Sequence, residues 1–146
     1  MRNVIVFSFV LLMISCNPES KPITYGQDKC DFCRMSIVDQ RFAGEIVTQK
    51  GKVFKFDAVE CMLNYIKNQV EDQQTIKLIL TNTYDNPGKL HDVHECMFLV
   101  SKNMPSPMGM FINPFEDVSI ALNNQREHTG TIYKWEELGN ELSMNY

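Results

Sequence analysis

The sequence predicts an α+β fold, a single domain of two β-β-α-β halves, and three observations predict it. Short runs with apolar residues at every second position come in two groups, each followed by one stretch of helical spacing and a further strand. Phe56-Asp57-Ala58-Val59 in the first group is faintly echoed by Phe115-Glu116-Asp117-Val118 in the second, a match too short to prove duplication alone. The chain has 146 residues, 44% hydrophobic and 22% charged, which suits one domain with a core of its own.

In chain order, residues 1–15 read as an export signal. Arg2 precedes an apolar run from Val4 to Ile14 that is too short to span a bilayer permanently. The run ends in Met13-Ile14-Ser15-Cys16, which resembles a bacterial lipobox, so Cys16 is the expected lipidation site and the first residue of the mature chain. Residues 16–28, polar and with Pro18 and Pro22, read as a lipid-anchored tether. The folded domain is expected over 29–146.

Within it, Phe42 to Thr48 and Val53 to Phe56 alternate as two strands around a turn at Lys50-Gly51. Asp57 then reads as a helix N-cap with Glu60 closing a capping box, and Val59, Met62, Leu63, Ile66 and Val70 supply the buried face. Ile76 to Thr81 is the next strand, and Asp85-Asn86-Pro87-Gly88 is a loop. Met97 to Ser101 and Met110 to Ile112 read as strands, and Asn113-Pro114 as the start of a second helix whose apolar stripe is Phe115, Val118 and Leu122. Thr131 to Tyr133 is a last strand, and Trp135 to Leu138 a short terminal helix packed on the surface.

A net charge of −4 leaves no basic face dense enough to neutralise a phosphate backbone, so nucleic acid is excluded as a partner. The informative counts are nine methionines and five cysteines. Two thiols and a thioether fall within Cys30-Asp31-Phe32-Cys33-Arg34-Met35, and Met104-Pro105-Ser106-Pro107-Met108-Gly109-Met110 presents more thioethers from a turn-prone loop. Sulfur donors of this kind suit a soft ion, above all Cu(I), and the appended methionine argues against zinc, for which thioethers are poor ligands. Cys33 and Met35 share one side of the chain if the segment is extended. Met108, between Pro107 and Gly109, is set to be presented from its loop. His94 and Cys96 are secondary candidates; Cys61, inside the first helix and away from any turn, reads as a core residue.

These residues resemble the NosL family of membrane-anchored copper-binding accessory proteins of nitrous oxide reductase. The likeness rests on the lipobox Cys16, on Cys33-Arg34-Met35 where that family has Cys-Gly-Met, on Phe56-Asp57 before a helix, and on Ser106-Pro107-Met108-Gly109 where it has a Pro-Met-Gly loop. The resemblance implies a duplicated fold related to part of organomercurial lyase. It implies a lipoprotein facing the periplasm that binds Cu(I) and delivers it to nitrous oxide reductase or its assembly machinery, with no catalysis of its own. By position Cys33, Met35 and Met108 correspond to the family's ligands, with Cys30 and His94 as further candidates. Arg34 departs from the family's glycine.

Two other readings stay open. A zinc module would draw its ligands from Cys30, Cys33, Cys96 and a histidine such as His94. A thiol oxidoreductase would use Cys30 and Cys33, although the motif does not open a helix after a strand. The client, the copper affinity, which membrane holds the anchor and the oligomeric state are not legible at this level.

Overall fold

The computed structural model describes residues 18–145; the export segment and Cys16 lie outside them. The first half consists of β1 (Gly44–Thr48), β2 (Val53–Phe56), α1 (Val59–Gln69) and β3 (Ile76–Thr81). A two-residue β4 (His91–Asp92) leads into the second half, which consists of β5 (Met97–Val100), β6 (Ile112–Phe115), α2 (Val118–His128) and β7 (Thr131–Tyr133). The chain closes with α3 (Trp135–Asn145).

The two halves repeat one topology. The strands run antiparallel in the orders β2-β1-β3-β4 and β6-β5-β7, so the first strand of each half is flanked by its second and third. Gly44 stands opposite Phe56, and Met97 stands opposite Phe115 in the same way. The four-residue echo therefore falls on equivalent places: Phe56 and Phe115 each end a second strand, and Val59 and Val118 each open the helix that follows. Ile46, Phe56, Val59 and Met62 from the first half share one core with Phe98 and Ile112 from the second and Leu138 of α3, so neither half is closed by itself.

Gly44 lets three elements meet closely, β1, its sheet neighbour β3 and α1. A Cβ there would stand 2.7 Å from the Leu80 carbonyl oxygen and 3.0 Å from the Met62 sulfur, so any side chain would force β1 away from β3 and α1.

Several element boundaries differ from expectation for physical reasons. The N-cap of α1 is Ala58, with no side-chain capping bond, because the carboxylates expected to form the box are engaged elsewhere: Asp57 with Cys33, and Glu60 with Ser106. Asn113 and Pro114 do not open α2. They lie in β6, an edge strand where proline's missing N–H is tolerated, and Asp117 caps α2 by accepting from the amides of Ser119 and Ile120. Val118 and Leu122 are exposed, and α2 packs through Ala121 instead. The terminal helix is longer than expected and is part of the core: Leu138 is fully buried and the Trp135 ring lies 5.6 Å from that of Phe98.

The last residues of the expected tether lie against the sheet. The Lys21 amide donates to Glu45 in β1 at 3.1 Å, and Lys55 in β2 holds both Asp28 and the Pro22 carbonyl. None of the described helices is long and apolar enough to cross a membrane.

Candidate metal centre

Residues 30–35 form a tight turn. The Cys30 amide donates to the Met35 carbonyl at 2.8 Å and the Arg34 amide to the Cys30 carbonyl at 3.0 Å, with Lys29 and Ser36 bridging below it. The segment is therefore not extended, and the alternation that would place Cys33 and Met35 on one side does not apply. Asp31 pins the turn to β2 from both sides: its amide donates to the Lys55 carbonyl at 2.8 Å and its carboxylate accepts from the Lys55 amide at 2.7 Å. That clamp sets Cys30 and Cys33 over the end of β2, where Asp57 leads into α1 and Cys61 occupies the first turn of the helix.

The result is a compact donor group. One sulfur each from Cys30, Cys33 and Cys61 and one carboxylate oxygen from Asp57 all lie within 4.8 Å of one another. Cys30 and Cys61 are buried, Asp57 is 5% exposed, and Cys33 is the member that reaches toward solvent. The Cys33 thiol donates to Asp57 Oδ1 at 3.5 Å.

The thiols are electrostatically unequal. The Cys61 thiol donates to Cys30, and the amides of Cys33, Asp57 and Phe32 also point at the Cys30 sulfur, so its pKa is held down to about 6 despite burial. Donating to Cys30 holds Cys61 in the protonated form, with burial adding to the effect. Burial raises Cys33, and the neighbouring Cys30 and Asp57 add to it. One thiolate is thus prepared inside a pocket whose other two sulfurs keep their protons until a cation replaces them.

A family model named NosL matches residues 22–143. The chain belongs to the NosL family. Its fold is similar to the crystal structure of the copper chaperone NosL from Shewanella denitrificans, with a TM-score of 0.71 at 18% identity over 83% of this chain and 96% of that one. By sequence it matches no curated protein.

In this NosL protein the residues singled out from the sequence are distributed unevenly. Cys30 and Cys33 stand together as expected. Met35 ends the same turn with its side chain 47% exposed, and Met108 is half-buried against the core that includes Cys30. Met104 is buried in the separate cluster of Leu99, Phe115 and Ala121. His94 and Cys96 do not join the thiols: His94 Nδ1 sits 2.7 Å from Glu136, and the Cys96 thiol donates to the Asp92 carbonyl while burial and nearby acids push its pKa up to about 12. The zinc set of Cys30, Cys33, Cys96 and His94 is therefore not assembled.

Asp57 and Cys61 are the members that sequence reasoning missed. The sequence pattern places Asp57 in the helix cap and Cys61 in the core. No local signal marked them: Ala58 is extended and α1 begins at Val59, so Asp57 lies outside the helix and the four-residue spacing to Cys61 does not place the two on one helix face. The family's glycine between cysteine and methionine also finds its reason. Arg34 has φ +69, the left-handed region that glycine enters freely and arginine enters at a cost.

A groove of about 850 Å³ is lined by Leu63, Ile66, Lys67, Ile79 and Trp135 and includes none of the thiols.

Proposed function

We propose that this NosL protein carries Cu(I) and hands it on for the maturation of nitrous oxide reductase, to the enzyme or to its assembly machinery. The observation that carries the reading is the convergence of Cys30, Cys33 and Cys61 from two distant segments, with Cys33 alone turned toward solvent. Soft sulfur donors select Cu(I), and a chaperone rather than an enzyme is what membership in this family implies.

Cu(I) arrives at Cys33, where Met35 and Met108 supply thioethers and Cys30 a thiolate already formed. Transfer then proceeds by ligand exchange. A recipient's ligand attacks the ion on its open side, the weakly held thioethers leave first, and Cys33 leaves last. No bond in a substrate is made or broken. Cys16 carries the lipid that tethers the domain to the periplasmic side of a membrane.

The test is an anaerobic Cu(I) titration of the reduced protein against a chromogenic chelator, repeated with Cys33→Ala, Met35→Leu and Met108→Leu. The reading expects one Cu(I) per chain and weaker binding in all three variants. Wild-type affinity in Cys33→Ala would overturn it. Periplasmic membrane fractionation that is abolished by Cys16→Ala tests the anchor.

A further inference from the structure

The segment before the metal-bearing turn is a strap laid on the sheet, not a free tether. The Lys21 amide is fixed to Glu45 in β1, the Pro22 carbonyl and Asp28 to Lys55, and the Gly26 amide to the Ile37 carbonyl at 2.7 Å. Lys21 follows Cys16 by five residues, a reach of at most about 18 Å, whereas Asp28 follows it by twelve, a reach of about 43 Å. An acylated Cys16 therefore holds the strap close to the headgroups. Gly44 faces α1 and Glu45, the next residue of β1, faces the strap, so the strap and α1 cover opposite faces of the sheet.

The strap side carries a recess of about 480 Å³, lined by Lys21, Pro22, Ile23 and Tyr25 of the strap and by Lys89 and Leu90 of the loop between β3 and β4. Both lysines are exposed, whereas Ile23 and Leu90 are half-buried. The acids of these segments do little to cancel the two cations. Asp28 is paired with Lys55, Glu45 is buried, and Asp85 is taken by the amides of Glu116 and Asp117, which leaves Glu19 as the exposed one. Two cations beside a partly apolar lining suit a phosphate joined to glycerol and acyl chains better than a bare phosphate.

We infer that this recess is a docking site for the phosphate of an anionic lipid headgroup, with Lys21 and Lys89 as its cations. Near an anionic surface each lysine is worth about fivefold in partitioning. In a chain of net charge −4 the pair orients an anchored domain and does not replace the anchor. Seated in this way, the domain turns its strap side to the bilayer and its α1 side away from it. The inference rests on the anchoring of Cys16 proposed above and is independent of the copper reading.

The experiment places the lipidated mature chain on vesicles of phosphatidylcholine, with or without phosphatidylglycerol, and compares amide hydrogen exchange. Protection of residues 20–25 and 88–90 should rise about fivefold or more on the phosphatidylglycerol vesicles, at least one lysine's share. The double variant Lys21→Gln, Lys89→Gln should lose that gain and keep its Cu(I) affinity. Lys21→Gln removes the cation but keeps the amide that holds the strap. Equal protection on both vesicles, or a gain that survives in the double variant, overturns the site. In a second arm the Cys16→Ala protein is titrated in solution with short-chain phosphatidylglycerol below its micelle concentration, and separately with inorganic phosphate. Chemical shifts at the same residues with the lipid alone support the headgroup site, even if the unsubstituted protein proves to carry no anchor. Equal response to inorganic phosphate overturns the lipid assignment in favour of a free-phosphate site.

Discussion

The Cys61 sulfur lies within 4.8 Å of the Cys30 sulfur, setting the first turn of α1 against a turn that precedes β1. At that distance a helix residue without any motif of its own lowers the pKa of the first cysteine of the Cys-x-x-Cys pair. That proximity also separates Cys61 from Cys96, which is equally buried but has only a backbone carbonyl as its partner.

Cys61→Ala is accordingly expected to weaken Cu(I) binding about tenfold or more, the usual effect of removing a group that orients a ligand. Cys96→Ala should leave Cu(I) affinity unchanged and cost only a small loss of stability for a vacated thiol. Chelator competition with the two variants side by side checks the contrast.

How much of this was legible in the sequence divides along a physical line. Strand alternation marked β2, β3 and β7 almost to the residue, because period-two patterning survives any tertiary context that buries one face. The helix starts were misplaced where tertiary partners took the capping side chains: Asp57 turned to a thiol, Glu60 to the Ser106 hydroxyl, and Asn113 to the carbonyls of Phe111 and Met104. Cys30 and Cys33 were legible as a pair because they are close in sequence. Cys61 was not, since only the clamp between Asp31 and Lys55 brings the turn over α1, and a long-range backbone pairing leaves no local mark.

The depressed Cys30 pKa gives a pH signature. In the metal-free protein one thiolate should persist at neutral pH and titrate with a midpoint near 6, seen as thiolate absorbance in the ultraviolet. Cys30→Ser should abolish it. Cys61→Ala should move the midpoint up, because the Cys61 bond is the largest cause of the shift. The corresponding stability is present above the ordinary thiol range and is lost as pH falls through about 6, the sign for a group whose folded pKa is depressed.

Arg34 occupies the left-handed region at φ +69. Arg34→Gly is expected to stabilise the protein by roughly 0.5–1 kcal/mol, the relief of the side-chain clash less the added freedom of the unfolded chain. Its ion pair with Asp31, at 3.8 Å and with the arginine largely exposed, contributes little against that gain. Urea midpoints for the two proteins measure the difference, with the slope unchanged.

The Met108 loop is tied to α1 by Ser106, whose hydroxyl meets the buried Glu60 carboxylate and also accepts from the Phe111 amide at 2.8 Å. Ser106→Ala removes both bonds at once. The expected cost is about 1–3 kcal/mol, since the Glu60 carboxylate loses its hydroxyl partner in a buried setting. Hydrogen exchange should show the Phe111 amide losing protection while β1 keeps its own.

The central claim is that sulfur atoms of the Cys30–Met35 turn and the Met108 loop hold one monovalent copper ion. X-ray absorption at the copper edge of the Cu(I)-loaded protein tests it most directly. The account predicts a two- or three-coordinate ion with sulfur neighbours only, and one sulfur fewer in Cys33→Ala. A shell of nitrogen or oxygen neighbours that is indifferent to that substitution would contradict it.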